Sequence, residues 1–282
     1  MRRLSFLFLV LWLQGATVSY AQAQPVYLPG KFVRADLLTN DLAAVTAFYG
    51  SLFGWEFATH PERAAILADE RELGSIFQRD LPPDDVRKPR WIAYMSVPDV
   101  DVAQQVVGAH GGSTLLAPRA LDTLGTVAVF GDPEGAVFGA IHLADGDPED
   151  YMAQPGEWIW LLMLSRDAEK AGEFYARLAP YELFDDGEDG GGLLLASDGY
   201  ARAALKTIPA DRAELQPAWL PFVRVASIAD ATGRVQQLGG QVLVQPRLEL
   251  FDGKVAVIAD PTGAALGILE WPYEESPREI SP

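Results

Sequence analysis

Cysteine is absent from this 282-residue chain, which removes thiol catalysis, zinc–thiolate centres and disulfides at once. Histidine is scarce. His60, His110 and His142 are the only three, too few for a multi-histidine metal centre. Positive charge is also short: 22 Lys and Arg face 39 Asp and Glu, a net charge of −17, so no basic footprint exists for nucleic acid or anionic lipid. The most apolar stretch, Leu4 to Leu13, is ten residues long, where a bilayer-spanning helix needs roughly 20. No G-x-S-x-G elbow, P-loop or G-x-G-x-x-G fingerprint is present. What is there is globular: 49% hydrophobic residues, with 26 Gly and 20 Pro that imply many turns and short elements.

The N-terminus reads as a secretory leader. Arg2-Arg3 precede the apolar stretch, and Ala21-Gln22-Ala23 supplies a small-residue cleavage site. The apolar pair that a twin-arginine signal wants comes too late, and no Cys offers a lipoprotein anchor. Removing residues 1–23 takes away two arginines and no acids, so the net charge moves from −17 to −19. The expectation is a periplasmic or secreted protein with no membrane anchor after cleavage, relying on its core without disulfides.

The rest of the chain repeats itself. Asp41 aligns with Asp167, and Phe48-Tyr49 falls on Phe174-Tyr175. Farther on, Gly111–Ile141 aligns with Gly239–Leu269 without gaps, and fourteen of these 31 positions are identical. A period of that size means two domain-sized modules rather than a solenoid. The boundaries expected are 28–144 and 156–272, joined by an acidic linker at 145–155 and followed by a tail at 273–282. Within each module the periodicity runs strand, helix, three strands, twice over. Asn40 or Asp41 caps a helix that is apolar at Leu42, Val45, Phe48, Tyr49 and Leu52, one buried face. Four βαβββ units make the fold class α+β.

Here the residues carry a family likeness. A strand, then Asp-Leu-x-x-Val-x-x-Phe-Tyr-x-x-Leu-Phe-Gly-Trp (Asp41–Trp55), then a late Asp-Pro-x-Gly-Ala-x-x-Gly (Asp132–Gly139, Asp260–Gly267), resembles the vicinal oxygen chelate superfamily of glyoxalases, bleomycin-resistance proteins and extradiol dioxygenases. The resemblance spans both modules and implies a cupped antiparallel sheet in each, helices outside and a cavity inside. It also implies a divalent ion held by His, Glu or Gln from the concave face. Counted onto this chain, the ligand positions are Arg34 and Trp160 on the opening strands, Ile92 and Leu220 on the middle strands, and Gly139 and Gly267 on the last. None is a ligand: an Arg repels a cation and Gly has no donor side chain. No metal and no other cofactor is expected.

Strand alternation says what fills the cavities instead. With Val33, Ala35 and Leu37 under the helices, Arg34 and Asp36 face the first cavity, joined by Tyr94 and Ser96. The equivalents in the second are Trp158, Trp160, Phe222 and Arg224. The aromatic residues suit an apolar or planar ligand and Arg224 its anionic group; equally, the tryptophans could be core, and Arg34 with Asp36 a self-satisfied ion pair. His142 and Glu270 have the wrong strand parity, and His110 caps a helix. Asp185–Gly190 lacks the residues of a calcium loop, and Arg119 and Arg247 sit in loops.

Two functions from different classes follow. One is an exported, metal-independent module binding a small organic molecule through Arg34, Trp158, Trp160, Phe222 and Arg224. The other is an isomerase- or lyase-type enzyme with Asp36 and Tyr94 as acid and base. A third is a scaffold that pairs with itself, as a homodimer, or with a partner through sheet edges.

Overall fold

The computed structural model describes residues 24–69, 71–80, 88–187 and 191–271. The leader, the Pro-Pro-Asp-Asp loop at 82–85, residues 188–190 of the acidic tip and the tail lie outside the described residues. The first unit comprises β1 (Phe32–Thr39), α1 (Leu42–Phe53), β2 (Glu56–His60), β3 (Arg63–Ala68) and β4 (Arg71–Gln78). The second comprises β5 (Arg90–Ser96), α2 (Val100–Ala109), β6 (Ser113–Leu121), β7 (Gly125–Gly131) and β8 (Val137–Leu143). The third unit is β9 (Trp158–Ser165), α3 (Ala168–Tyr175), β10 (Glu182–Asp185), β11 (Gly192–Ser197) and β12 (Tyr200–Thr207). The fourth is β13 (Ala218–Val225), α4 (Ile228–Gln237), β14 (Gln241–Val244), β15 (Val255–Ala259) and β16 (Ala265–Glu270). No helix among the described residues is long and apolar enough to cross a membrane.

Two eight-stranded sheets result, ordered β2-β3-β4-β1-β5-β8-β7-β6 and β10-β11-β12-β9-β13-β16-β15-β14. They are mixed rather than wholly antiparallel. The three-strand meander after each helix brings its last strand back beside the first, so β1 with β4, β5 with β8, β9 with β12 and β13 with β16 run parallel.

Local chemistry sets the helices. Asp41, in extended conformation, accepts from the Ala44 N–H at 2.9 Å, which contributes about 1 kcal/mol to starting α1. Gly54, at φ 77°, ends it in the left-handed region that glycine tolerates. Asp99, Asp167 and Ser227 cap the other three helices in the same way.

Packing then joins the modules crosswise. One core unites Ala35, Val45, Phe48 and Tyr49 of the first unit with Val223, Val235, Ile258 and Ile268 of the fourth. A second unites Met95, Val107 and Phe138 of the second unit with Leu161 and Tyr175 of the third, joined by Trp219 of the fourth. The repeated motifs lock these contacts. Trp91 Nε1 donates to Tyr49 Oη at 3.0 Å, and Tyr49 donates to Asp260 Oδ2 at 3.1 Å. Its counterpart runs from Trp219 to Tyr175 at 2.7 Å and on to Asp132 at 3.0 Å. Burial, and then the neighbouring carboxylate, push both tyrosines well above their ordinary pKa, so they stay protonated donors. Tyr181 Oη to Gly30 O and Trp55 Nε1 to Gly156 O, both 2.6 Å, repeat the crossing.

Candidate functional site: two concave faces

The face of each sheet away from the helices is the candidate site, and cross-strand pairing defines its rows. In the first module Arg34 pairs with Tyr94 and Tyr94 with Gly139, while Asp36 pairs with Ser75 and Ile92. In the second, Trp160 pairs with Phe222, Phe222 with Gly267, and Leu162 with Ala204 and Leu220. Position for position, Arg34, Asp36, Ser75 and Tyr94 become Trp160, Leu162, Ala204 and Phe222. One face is charged and the other apolar.

The first face is internally satisfied. Arg34 Nη2 lies 2.9 Å from Asp36 Oδ1 and 3.2 Å from Ser75 Oγ, and Nη1 lies 3.3 Å from Glu72. The Ser75 N–H donates to the same Asp36 oxygen at 2.8 Å. Burial works to lower the Arg34 pKa, but the charge and hydrogen bond of Asp36, with Glu72 behind, outweigh it and raise it. Tyr94 is raised far above the ordinary tyrosine range, chiefly by burial and then by Asp36, with Arg34 opposing. It is therefore a proton donor at neutral pH, not a base. The structure brings Arg34, Asp36 and Tyr94 together, as the register implies, and adds Ser75 and Glu72, which sequence alone gave no signal for.

The second face is different. Trp160, Leu162 and Leu164 on β9, Leu220 on β13 and Val255 and Val257 on β15 are all half-buried, with the Phe222 ring among them at the centre of the sheet, paired with both Trp160 and Gly267. Each module also places its central aromatic against a glycine. A Cβ at Gly139 would stand 2.2 Å from Tyr94 Cδ1, and one at Gly267 would stand 2.3 Å from Phe222 Cδ1.

Two expected residues are elsewhere. Trp158 is not a cavity residue: a β-bulge lets Trp160 pair with Phe222 but Trp158 with Val223, which turns its side chain to the opposite face. There it packs edge-on to Trp55 and Trp91 and donates to Leu73 O at 2.9 Å. Arg224 is not held ready for an anion. Its Nη1 donates to Ala153 O at 2.5 Å and its Nη2 to Trp271 O at 3.1 Å, tying the linker to the end of β16. Arg119 lies in β6, paired with Val127, rather than in a loop. His142 stacks on Tyr27 at 4.4 Å. Among the described residues, no three His, Asp or Glu side chains gather in a group able to hold a metal ion.

Comparison with known proteins agrees with this architecture. Residues 31–139 match the model of the Glyoxalase/Bleomycin resistance protein/Dioxygenase superfamily. The chain is 25% identical over 266 residues to the anthracycline biosynthesis protein DauV of Streptomyces sp. (strain C5), covering 86% of this chain and 94% of that protein. It is 26% identical over 254 residues to CFP32 of Mycobacterium tuberculosis, whose name proposes a glyoxylase, covering 83% and 92%. Among solved structures, the Mn(II)-bound glyoxalase from Novosphingobium aromaticivorans superposes with a TM-score of 0.59 at 17% identity, over 87% of this chain and 83% of that one. At that identity the likeness is one of fold.

Proposed function

From the match of residues 31–139 to the Glyoxalase/Bleomycin resistance protein/Dioxygenase superfamily, we propose that the chain is a two-module member of that superfamily and that it binds a small, largely apolar, planar molecule on the concave face of its second module, without a metal ion. The observation that carries the reading is the half-open apolar face of Trp160, Leu162, Leu164, Leu220, Val255 and Val257. An aromatic floor with aliphatic walls favours flat apolar ligands through burial and ring contacts. With Arg224 committed to main-chain carbonyls, the ligand needs no anionic group. The relative named as an anthracycline biosynthesis protein is in keeping with a planar ligand, the anthracycline ring system being a flat polycycle.

Metal independence rests on the chemistry of the donor positions. Arg34 brings a guanidinium already paired with Asp36. Trp160, Ile92 and Leu220 bring no ligand atom. A side chain at Gly139 or Gly267 collides with the facing ring. The residues present do not fit a divalent ion. Acid–base chemistry by Asp36 and Tyr94 is disfavoured by the same geometry, since Asp36 is held by Arg34 and Ser75 and Tyr94 keeps its proton.

A thermal-shift panel of planar aromatic compounds on residues 24–282 tests the reading. Stabilisation by a compound that is recovered unchanged supports binding; turnover, lost in Asp36→Asn, replaces it with the enzyme. One tightly held Zn, Ni, Mn or Fe per chain after purification without chelator overturns metal independence. The export reading is tested by fractionation: the protein, shortened by about 23 residues, is expected outside the cytoplasm, and a full-length cytoplasmic product contradicts it.

A further inference from the structure

The two cups are built from matching positions, yet they differ in access. Ile92, Val127 and Val129 in the first cup are all buried, at 5, 4 and 7% exposure; their counterparts Leu220, Val255 and Val257 are half-open. The strands that carry these residues are ordered alike in both sheets, and the segments that lie over them differ.

In the first module the cover is the β6–β7 hairpin. Strand β6 ladders with β7 as far as Leu121, which pairs with Gly125. Leu121 and Leu124 pack on the cluster of Ile92, Tyr94, Val127, Val129 and Ile141, and Leu143 joins them from β8. In the second module the ladder stops early: β14 ends at Val244, and the segment from 245 to 250 forms no strand. The repeat alignment puts Glu249 where Leu121 stands, Asp252 where Leu124 stands, and Trp271 where Leu143 stands. Glu249 and Asp252 are exposed, and Trp271 is 41% exposed. Phe251 and Asp252 adopt φ of 48° and 52°, a left-handed pair that non-glycine residues hold only at a cost of about 1 kcal/mol or more each. Carboxylates do not enter an apolar cluster without a large desolvation cost, so Glu249 and Asp252 do not cap their cup as Leu121 and Leu124 cap theirs.

We propose that the two copies have divided their roles: Leu121 and Leu124 seal the first cup, and Glu249 and Asp252 in their places keep the second open as the only one that admits a small molecule. This rests on the reading of the second cup as the binding site, but its test needs no ligand. Because the chain has no cysteine, one introduced at each cup floor reports access without background. Val129→Cys and Val257→Cys are compared for their rate of reaction with N-ethylmaleimide in the folded protein, with unfolding melts confirming that each variant folds.

The expected result is that Val257→Cys reacts at least tenfold faster than Val129→Cys. Adding Leu121→Glu and Leu124→Asp should speed the Val129→Cys protein at least tenfold, and adding Glu249→Leu and Asp252→Leu should slow the Val257→Cys protein. The Val127→Cys and Val255→Cys pair repeats the comparison should a first pair fold poorly. Equal rates in the two cups, or rates indifferent to the mouth substitutions, overturn the division of roles. Planar-ligand binding is scored separately, so a second cup that is open but binds nothing defeats the function proposed above and leaves this inference standing.

Discussion

Replacing Tyr49 by Phe removes one oxygen atom and tests how the modules are joined. That hydroxyl donates to Asp260 at 3.1 Å and accepts from Trp91 Nε1 at 3.0 Å, and it sits in a fully buried side chain. The ring stays, so the apolar packing of Tyr49 against Trp55 and Trp91 is retained. What is lost is one partner for a buried indole N–H and one for a buried carboxylate. Each orphaned group costs about 1–3 kcal/mol, partly offset where Asp260 keeps the bonds from Thr262 and Ala264 to its other oxygen. A loss of about 2–4 kcal/mol is expected, which lowers Tm by roughly 5–15 °C for a chain of this size. Urea unfolding measures it, and a double-mutant cycle with Asp260→Asn should give a coupling of about 1 kcal/mol or more. Tyr175→Phe, which cuts the matching bonds to Asp132 and Trp219, should cost a similar amount. Losses under about 0.5 kcal/mol in both variants, measured against the surface-substitution range, would refute the idea that these motif residues lock the modules.

Further outcomes follow from the same structure. Gly139→Ala forces a methyl into the Tyr94 ring, whose Cγ is as close as 2.6 Å; it should cost about 1–3 kcal/mol by overpacking and recover part of that loss when combined with Tyr94→Ala in chemical melts. The pKa of Asp260 is raised in the folded protein, mainly by burial. The folded state therefore keeps the proton over a pH window where the unfolded chain has lost it, and stability falls as pH rises through that window. Acidification from pH 7 toward pH 4 should stabilise the wild type relative to Asp260→Asn, and a gap that stays constant or moves the other way contradicts the assignment. The first module expressed alone exposes the face that Val223, Ile258 and Ile268 cover; circular dichroism and hydrogen exchange should show a loosely packed or aggregating species, whereas a cooperative melt like that of the whole chain contradicts the crosswise cores.

Much of this architecture was legible in the sequence because it depends on local rules. The helix start at Asn40 or Asp41 and the alternation that buries Ala35 and Leu37 while turning Arg34 and Asp36 inward are period and propensity effects; Val33, expected beside Ala35, packs instead on the cavity cluster because the register shifts between Phe32 and Arg34. Trp158 was not legible, because one bulged residue, Ile159, inverts strand parity without leaving a mark in composition. Arg224 was misread for another reason: its partners, Ala153 and Trp271, are main-chain carbonyls brought from far along the chain, and any residue type can supply those. The repeated Phe-Tyr and Asp-Pro pairs showed that something at those positions was needed twice. Only the tertiary structure shows that each Tyr reaches the Asp of the other module.

The central claim is that the second cup holds an apolar, planar molecule on Trp160. Equilibrium titration of residues 24–282 with Nile red, read by its fluorescence, tests it most directly when wild type is set beside Trp160→Ala and Trp158→Ala. The account predicts saturable binding at one site, weakened at least tenfold (about 1.4 kcal/mol) by Trp160→Ala. Trp158→Ala should lower stability and leave the affinity of the folded protein unchanged. No saturable binding by wild type, or affinity indifferent to Trp160→Ala, would contradict it.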